Sequence, residues 1–273
     1  MFVSRSATRA LRPALNGCCL LLLLVVPASR RLGAETTPDA SRLAYEGPEL
    51  LQARVYPRNV QAETPLFTFK RTATRSGSTL RVLREFTYPD GQRTVREHVL
   101  YEGFRLVTYE LEDLQTGATG TAKVEPDPKH PGNAIIALEY TPKAFARSGS
   151  TVKREPFQRD TLVNDMVGPF LAAHWEPLLR GDKVTCRCVV VTRRETVGFT
   201  FSKESESKWR GQDVLILKME PTSLFISALV DPLFFTIGKA PPHRVLQYVG
   251  RTTPKIAEGG RWKDLDALTV FDW

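Results

Sequence analysis

The stretch STLRVLREFTYPDGQRTVREHVLYEGFRLVTYEL, residues 78–111, carries the clearest folding signal in the chain. Apolar and polar residues alternate over Ser78 to Tyr88 and again over Arg93 to Tyr101, a pattern typical of strands with one buried face. Between them, Pro89-Asp90-Gly91 is a strong turn signal. A second glycine turn precedes a third strand, Phe104 to Glu112. The stretch therefore predicts an antiparallel meander.

The first two strands of this meander can pair in either of two registers. A two-residue turn places Glu85 opposite Arg96 and Arg84 opposite Glu97, and such pairs of opposite charge are stabilising. A three-residue turn with the proline at its first corner suits that residue better, but it sets Arg84 opposite Arg96. The sequence predicts the hairpin and leaves its register open.

The apolar spacing changes after residue 160. Apolar residues then recur at intervals of three and four, which predicts an amphipathic helix. They are Leu162, Val163, Met166, Val167, Phe170, Leu171, Trp175 and Leu178. Asp160 or Thr161 can cap the start of this helix. Gly168-Pro169 is expected to kink or divide it, and Pro177 is expected to end it.

Strand patterns then resume and continue towards the C-terminus. The predicted strands are Lys183 to Thr192, Thr196 to Lys203, Asp213 to Glu220, Leu233 to Ile237, His243 to Arg251 and Arg261 to Trp273. A short helix capped by Thr222 or Ser223 is predicted to run to Val230. The connections are mostly too short for parallel crossovers. We predict a mainly β (α+β) fold, a curved antiparallel sheet or open β-barrel with one or two inserted helices, with a sandwich as the alternative.

The first 34 residues have the pattern of a secretory signal peptide. Three arginines precede the apolar run from Cys18 to Val26, and no acidic residue occurs before Glu35. Cleavage is expected after Ala34, with Ala28 as the alternative site, and a mitochondrial transit peptide is the competing interpretation. We predict a signal peptide over residues 1–34, an N-terminal arm over 35–65 and a single β-rich domain over 66–273.

Charge gives no reason to expect a nucleic-acid partner. Five of the 38 basic residues lie in the leader together with no acidic residue, which leaves 33 basic residues against 30 acidic ones. Most of the excess of basic over acidic residues therefore lies in the predicted signal peptide. The leader's apolar run is too short to span a bilayer, so no transmembrane segment is expected after its removal. The predicted location is exported, periplasmic or secreted, and the oligomeric state is left open.

No catalytic motif stands out. The sequence lacks a phosphate loop, a dinucleotide fingerprint, a zinc-protease helix and a Gly-x-Ser-x-Gly elbow. The histidines His98, His130, His174 and His243 have no spacing suited to a local metal site, and no acidic pair is compelling. We therefore predict no catalytic residue, no metal and no cofactor, with an envelope hydrolase using carboxylates or His174 as an alternative.

Cys186 and Cys188 are the two cysteines outside the leader. On a strand they face one side, with Cα atoms about 6.6–6.8 Å apart, at the upper limit for a disulfide. They predict either a redox or metal pair or, by preference, two small buried side chains. A single Cys-x-Cys lacks the second ligand pair of a credible zinc site.

Aromatic and aliphatic residues concentrate in the second half of the chain. In a curved sheet they could line a concave cleft for an acyl chain, or they could simply form the core. The candidate ligand-binding residues are Phe199, Phe201, Phe225, Leu229, Phe234, Phe235 and Trp175.

Several short motifs resemble those of a group of uncharacterised exported bacterial proteins. They are His174-Trp175, Leu178-Leu179 with Gly181, Thr196-Val197-Gly198-Phe199, Met219-Glu220-Pro221-Thr222-Ser223, Leu229-Val230-Asp231-Pro232 and Tyr248-Val249-Gly250. The resemblance covers Leu66 to Pro254, and these motifs are turns and helix ends. The family implies no established activity. Its general pattern is similar to that of periplasmic half-barrel proteins that carry lipids or lipoproteins.

The sequence thus favours a non-catalytic periplasmic binding or carrier protein for an apolar ligand, with a lipid or a lipoprotein as the expected partner. The envelope hydrolase and a structural or assembly factor of the envelope are the alternatives.

Overall fold

Fifteen strands form one hydrogen-bonded sheet in the computed structural model, which describes residues 49–58, 63–143, 151–223 and 231–273. These residues belong to one compact unit, Thr37–Trp273. The strands are β1 Leu50–Pro57, β2 Phe67–Ser76, β3 Thr79–Thr87, β4 Arg93–Glu102, β5 Arg105–Asp113, β6 Ala118–Pro126, β7 Ala134–Thr141, β8 Lys153–Pro156, β9 Thr161–Leu162, β10 Val184–Val190, β11 Glu195–Trp209, β12 Gln212–Pro221, β13 Leu233–Gly238, β14 Val245–Glu258 and β15 Arg261–Asp272. The predicted mainly β fold class is confirmed.

The order of the strands places the two ends of the described chain side by side. It runs from β8 down to β1, then β15, and from β15 down to β9, so β1 and β15 pair near the middle of the sheet. Residues 50–57 lie within the predicted N-terminal arm, and this part of the arm belongs to the sheet as β1. All neighbouring strands are antiparallel except β9 and β10.

The first hairpin adopts the register in which opposite charges face each other. Glu85 lies opposite Arg96 and Arg84 lies opposite Glu97, with a bulge between Phe86 and Thr87. Beyond the bulge this is the register that a two-residue turn predicts, but the turn itself has three residues, Pro89, Asp90 and Gly91, because Tyr88 and Gln92 pair with each other. The alternative register would have brought two arginines directly opposite each other, which is unfavourable.

The sheet curls until its two edge strands meet. β8 and β9 are separated by four residues, and this short connection pairs with both halves of the sheet. The backbone N–H of Phe157 donates to the carbonyl of Ala134 in β7, and the carbonyl of Asp160 accepts from the N–H of Arg187 in β10. Residues 153–162 therefore close the sheet into a barrel-like shape, and we call the enclosed space the lumen.

Side chains complete this closure beyond the connection. The Val191 side chain lies against Gly120 of β6, and a Cβ at Gly120 would come within 2.6 Å of it. The backbone N–H and hydroxyl of Thr196 donate to the Glu155 carboxylate at 2.9 and 2.8 Å. Partial burial acts to raise the pKa of Glu155, but hydrogen bonds from Lys153 and Thr196 outweigh it and hold that pKa below its usual value.

Helical structure differs from the single long helix predicted from the sequence. A 3-10 turn at Asn164–Met166 leads into α1, Val167–Ala173, and α2, Trp175–Arg180. The predicted cap residue Thr161 lies in β9 instead. The two helices are divided at His174. Pro169 lies in the first turn of α1 and Pro177 in the first turn of α2, where the missing N–H of a proline costs nothing. Gly168-Pro169 therefore does not kink a helix, and Pro177 does not end one.

Residues 161–180, here called the plug segment, occupy the lumen. Their buried side chains contact strands from both halves of the sheet, since Asp165 bonds to Arg71 of β2 and Phe170 packs against Phe201 of β11. The ammonium of Lys203 also donates to the Leu179 carbonyl. The plug segment is therefore part of the core.

In the described ranges, no helix has the length and apolar character needed to cross a bilayer. The predicted signal peptide and nearly all of the predicted helix after Thr222 fall outside the described residues.

Candidate functional site

Two of the sequence-predicted ligand-binding residues lie together in the core. Phe201 of β11 and Phe235 of β13 are buried, with ring centroids 5.7 Å apart. Phe201 also contacts Phe170 of α1 at 6.0 Å, and Phe235 contacts Tyr248 at 5.0 Å. These rings therefore form the wall against which the plug segment packs.

The other predicted residues are more scattered. Trp175 is buried and stacks on His243, with centroids 4.0 Å apart. Phe199 is half-buried and packs against the core. Phe234 is half-buried and faces the side of β13 opposite to Phe235, because consecutive strand residues alternate. Phe225 and Leu229 lie outside the described residues.

Two grooves on the surface lie away from these aromatic residues. One of about 260 Å³ runs over the outer face of β1, β2, β3 and β15, lined by polar side chains such as Arg54, Lys70 and Asp272. The other, of about 490 Å³, lies beside the β5–β6 turn and is lined by residues including Tyr140 and Lys143. The predicted ligand-binding residues line neither groove.

A group of charged and hydroxyl side chains lies buried where the plug segment meets the sheet. We call it the lumen cluster, and it consists of Arg71, Arg84, Glu97, Tyr101, Tyr109 and Asp165. It contains two guanidinium groups and two carboxylates, so its charges balance. Buried charges are costly unless they are paired and hydrogen-bonded, which makes this the most unusual place in the molecule.

One ion pair of the lumen cluster joins the plug segment to the sheet. Arg71 Nε and Nη2 donate to the two oxygens of Asp165 at 2.7 and 3.2 Å, and both side chains are at most 3% exposed. The Tyr101 hydroxyl donates to the same carboxylate at 3.0 Å. Asp165 is thus fixed by three hydrogen bonds from two strands, β2 and β4.

The second ion pair lies within the sheet. Arg84 of β3 pairs with Glu97 of β4, which is completely buried. Glu97 also accepts hydrogen bonds from Thr253 at 2.8 Å and from Asn164 of the plug segment at 3.4 Å. Burial acts to lower the pKa of Arg84, but the charge of Glu97, followed by that of Asp165, outweighs it and raises that pKa. The Arg84 guanidinium therefore keeps its charge despite its burial.

The tyrosines of the lumen cluster are held in their neutral form. Burial, followed by the charge of Asp165, raises the pKa of Tyr101 well above its usual value. Burial, followed by the charge of Glu97, does the same for Tyr109. Both phenols therefore stay protonated near neutral pH and can donate hydrogen bonds.

Strand register explains how these residues come together. Arg71 lies directly opposite Arg84, and Arg84 lies directly opposite Glu97, so the three form one row across β2, β3 and β4. The contact between two arginines is unfavourable by itself. Glu97 on one side and Asp165 from the plug segment provide the compensating charges.

The sequence held a signal for this cluster that the motif search missed. Glu97 lies on the inward row Val95, Glu97, Val99, Tyr101, where every neighbour is apolar or aromatic. Arg71 similarly follows Phe67 and Phe69. A charged residue at the apolar position of an alternating strand indicates a buried partner, because isolated burial would be too costly.

The histidines lie in different environments. His174 is buried at the junction of α1 and α2, where its Nδ1 lies 2.8 Å from the Phe170 carbonyl. Its Nε2 has no hydrogen-bond partner among the described residues. His98 is exposed, and His130 contacts Asp127 in an exposed loop. In the described ranges, no group of three or more His, Cys, Asp or Glu is placed to hold a metal ion.

Comparisons with known proteins give little further information. The chain matches no protein-family model and no curated protein. Among solved structures, it is similar to the crystal structure of a beta-barrel-like protein of domain of unknown function DUF1849 from Brucella abortus. The two share 6% sequence identity, over 82% of this chain and 94% of the other, with a TM-score of 0.38.

Proposed function

We propose that this protein is an exported, periplasmic binding or carrier protein for an apolar ligand such as a lipid or a lipoprotein acyl chain. The observation that carries the proposal is the plug segment, which packs inside the lumen without being a stable structure of its own. Its helices have seven and six residues and no side-chain cap hydrogen bonds. Helices this short are not stable alone in water, so the plug segment is held by its contacts with the sheet.

An acyl chain can compete for those contacts on energetic grounds. The two helices of the plug segment, α1 and α2, bury four large apolar side chains, Phe170, Leu171, Trp175 and Leu178. Burial of such side chains is worth about 1.5–3 kcal/mol each, or about 6–12 kcal/mol together. An acyl chain of about 15 methylenes offers about 12 kcal/mol at about 0.8 kcal/mol for each methylene. Replacing the buried side chains of the two helices by an acyl chain therefore changes the burial free energy little.

The hydrolase alternative fits the lumen cluster less well. A hydrolase that uses two carboxylates needs them free to move protons beside a bound substrate. Glu97 and Asp165 are each paired with a guanidinium, and neither of the two grooves is lined by them. His174 is enclosed at a helix junction. We therefore favour binding over hydrolysis for this site.

The test begins with the full chain purified without detergent. Native mass spectrometry and organic extraction should reveal bound lipid, and titration with a dansyl-labelled fatty acid should give saturable binding. A folded protein that carries no lipid and does not bind the probe would contradict the proposal. Fractionation of expressing cells tests the location separately, since a product that stays uncleaved in the cytoplasm contradicts export.

A variant of the plug segment tests where the ligand binds. Phe170→Ala removes the ring that packs against Phe201 and should lower the dissociation constant for the probe, because the ligand then displaces less. Phe104→Ala, at an exposed turn where the ring is 42% exposed, is the matched control and should leave it unchanged. Equal dissociation constants for both variants and the wild type, with circular dichroism confirming their folding, would show that the ligand does not use the lumen.

A further inference from the structure

Cys186 and Cys188 form a side-chain pair that the proposed function does not use. They lie two residues apart on β10 with both side chains on one face, and their sulfur atoms are 3.9 Å apart. Cys186 is 1% exposed, whereas Cys188 is half-buried. Both are free thiols. The two sulfurs are thus in contact, and Cys188 is the more exposed of the two residues.

We propose that Cys186 and Cys188 are a thiol–disulfide pair that is oxidised by exchange with a low-molecular-weight disulfide. The proposal needs no particular cellular location and does not depend on lipid binding. It assigns a chemical role to each sulfur, based on the difference in their exposure.

The more exposed sulfur reacts first. The thiolate of Cys188 attacks one sulfur of glutathione disulfide, which forms a mixed disulfide and releases one glutathione thiolate. The sulfur of Cys186 then attacks the sulfur of Cys188, and the second glutathione leaves as a thiol that carries the proton of Cys186. Two protein thiols are oxidised, and one glutathione disulfide is reduced to two thiols.

Cys186 is suited to the second step rather than the first. Its contact with Cys188, followed by burial, strongly raises the pKa of Cys186. It therefore stays protonated and unreactive towards external disulfides. Only a mixed disulfide formed on the neighbouring Cys188 brings an electrophilic sulfur within its reach.

The geometry of β10 permits the bond with a local movement. A disulfide needs sulfurs about 2.05 Å apart and Cα atoms up to about 6.8 Å apart. An extended strand places residues i and i+2 about 6.6–6.8 Å apart, so the sulfurs must approach by about 1.9 Å. Arg187 between them is fixed on both sides, by Asp160 through its backbone and by Thr196 through its guanidinium. The required movement is therefore confined to the cysteine side chains and the adjacent backbone.

Peptide mapping tests the proposal on the full chain. The reduced protein is treated with glutathione disulfide, quenched with acid, alkylated and digested with trypsin, which cleaves after Arg187. The expected product is residues 184–187 joined by a disulfide to residues 188–193. This product is distinct from any product that involves Cys18 or Cys19. Alkylation of both cysteines in the treated wild type, or glutathione persisting on Cys188, would overturn the proposal.

Single variants test the assigned order. Cys186→Ser should stop at a mixed disulfide with glutathione on Cys188, whereas Cys188→Ser should leave Cys186 unmodified in the folded protein. Modification of Cys186 in folded Cys188→Ser would overturn the order. Circular dichroism monitors folding, and if either variant fails to fold, the map of the wild type decides the proposal alone.

Discussion

Replacing Asp165 by asparagine removes the one negative charge that the plug segment presents to Arg71. The two side chains are at most 3% exposed and share two hydrogen bonds, and Tyr101 donates a third. Removal of one partner from a buried ion pair costs roughly 3–5 kcal/mol. Asparagine keeps the shape of the side chain and one acceptor oxygen, so the substitution removes mainly the charge and leaves Arg71 buried without its counter-ion. We expect Asp165→Asn to lower the free energy of unfolding by about 3–5 kcal/mol.

Urea denaturation followed by circular dichroism and tryptophan fluorescence measures this change. The midpoint should fall while the slope stays constant, since the unfolded surface is unchanged. Asp264→Asn is the matched control, because that carboxylate is 56% exposed and pairs with Arg251 on the surface. Pairs of this kind are worth about 0–1 kcal/mol.

A double-mutant cycle separates the ion pair from other effects of the substitution. Arg71→Met and Asp165→Leu should each destabilise strongly, whereas the double variant should be more stable than their sum predicts. If Asp165→Asn costs less than its surface control, or if the two core substitutions are additive, the buried pair does not anchor the plug segment.

The remaining predictions concern the barrel closure and the pH dependence. Gly120→Ala should cost about 1–3 kcal/mol by urea denaturation, because its Cβ would meet Val191 at 2.6 Å, and branched valine adapts poorly. Gly168→Ala in α1, which has room, should be neutral or stabilising and would contradict the packing argument if it cost as much. The lowered pKa of Glu155 contributes stability that is present above its unfolded value and is lost as pH falls through the folded one. Between pH 6 and 3, wild type should therefore lose more stability than Glu155→Gln, and parallel losses would refute this. Because burial raises the pKa of Tyr101, Tyr109 and Tyr248, stability should fall as pH rises above about 10, and ultraviolet titration should show these three phenols ionising only with unfolding.

Local patterning was sufficient to predict the strands but not how the sheet closes. Alternation and turn residues predicted β3, β4 and β5 correctly, because each strand buries one face. The helix prediction failed in detail because apolar spacing does not distinguish one long helix from a short strand, a 3-10 turn and two short helices. No local pattern in the sequence predicts that β1 pairs with β15. The side chains of Arg54 and Asp272, which join these two strands, are 218 residues apart in the sequence.

The lumen cluster illustrates a different limit. The favourable pairing of Arg84 with Glu97 follows from the hairpin register, but the register does not indicate that the pair is buried. The second carboxylate that balances Arg71 and Arg84 is Asp165, which lies 68 residues after Glu97 in the sequence. The sequence shows that Glu97 lies on an otherwise apolar row, which indicates a buried charge. Only the tertiary fold shows which residues compensate that charge.

The short connection between β8 and β9 has a consequence for how the protein behaves among copies of itself. An open sheet of this size would ordinarily expose two long margins of unpaired backbone groups, which can template fibrils. Here the margins are strands of four and two residues, and the same ten-residue segment occupies both. Within the described ranges, a second molecule that approaches either end of the sheet finds only two to four residues to pair with, so fibril growth from these two ends is disfavoured.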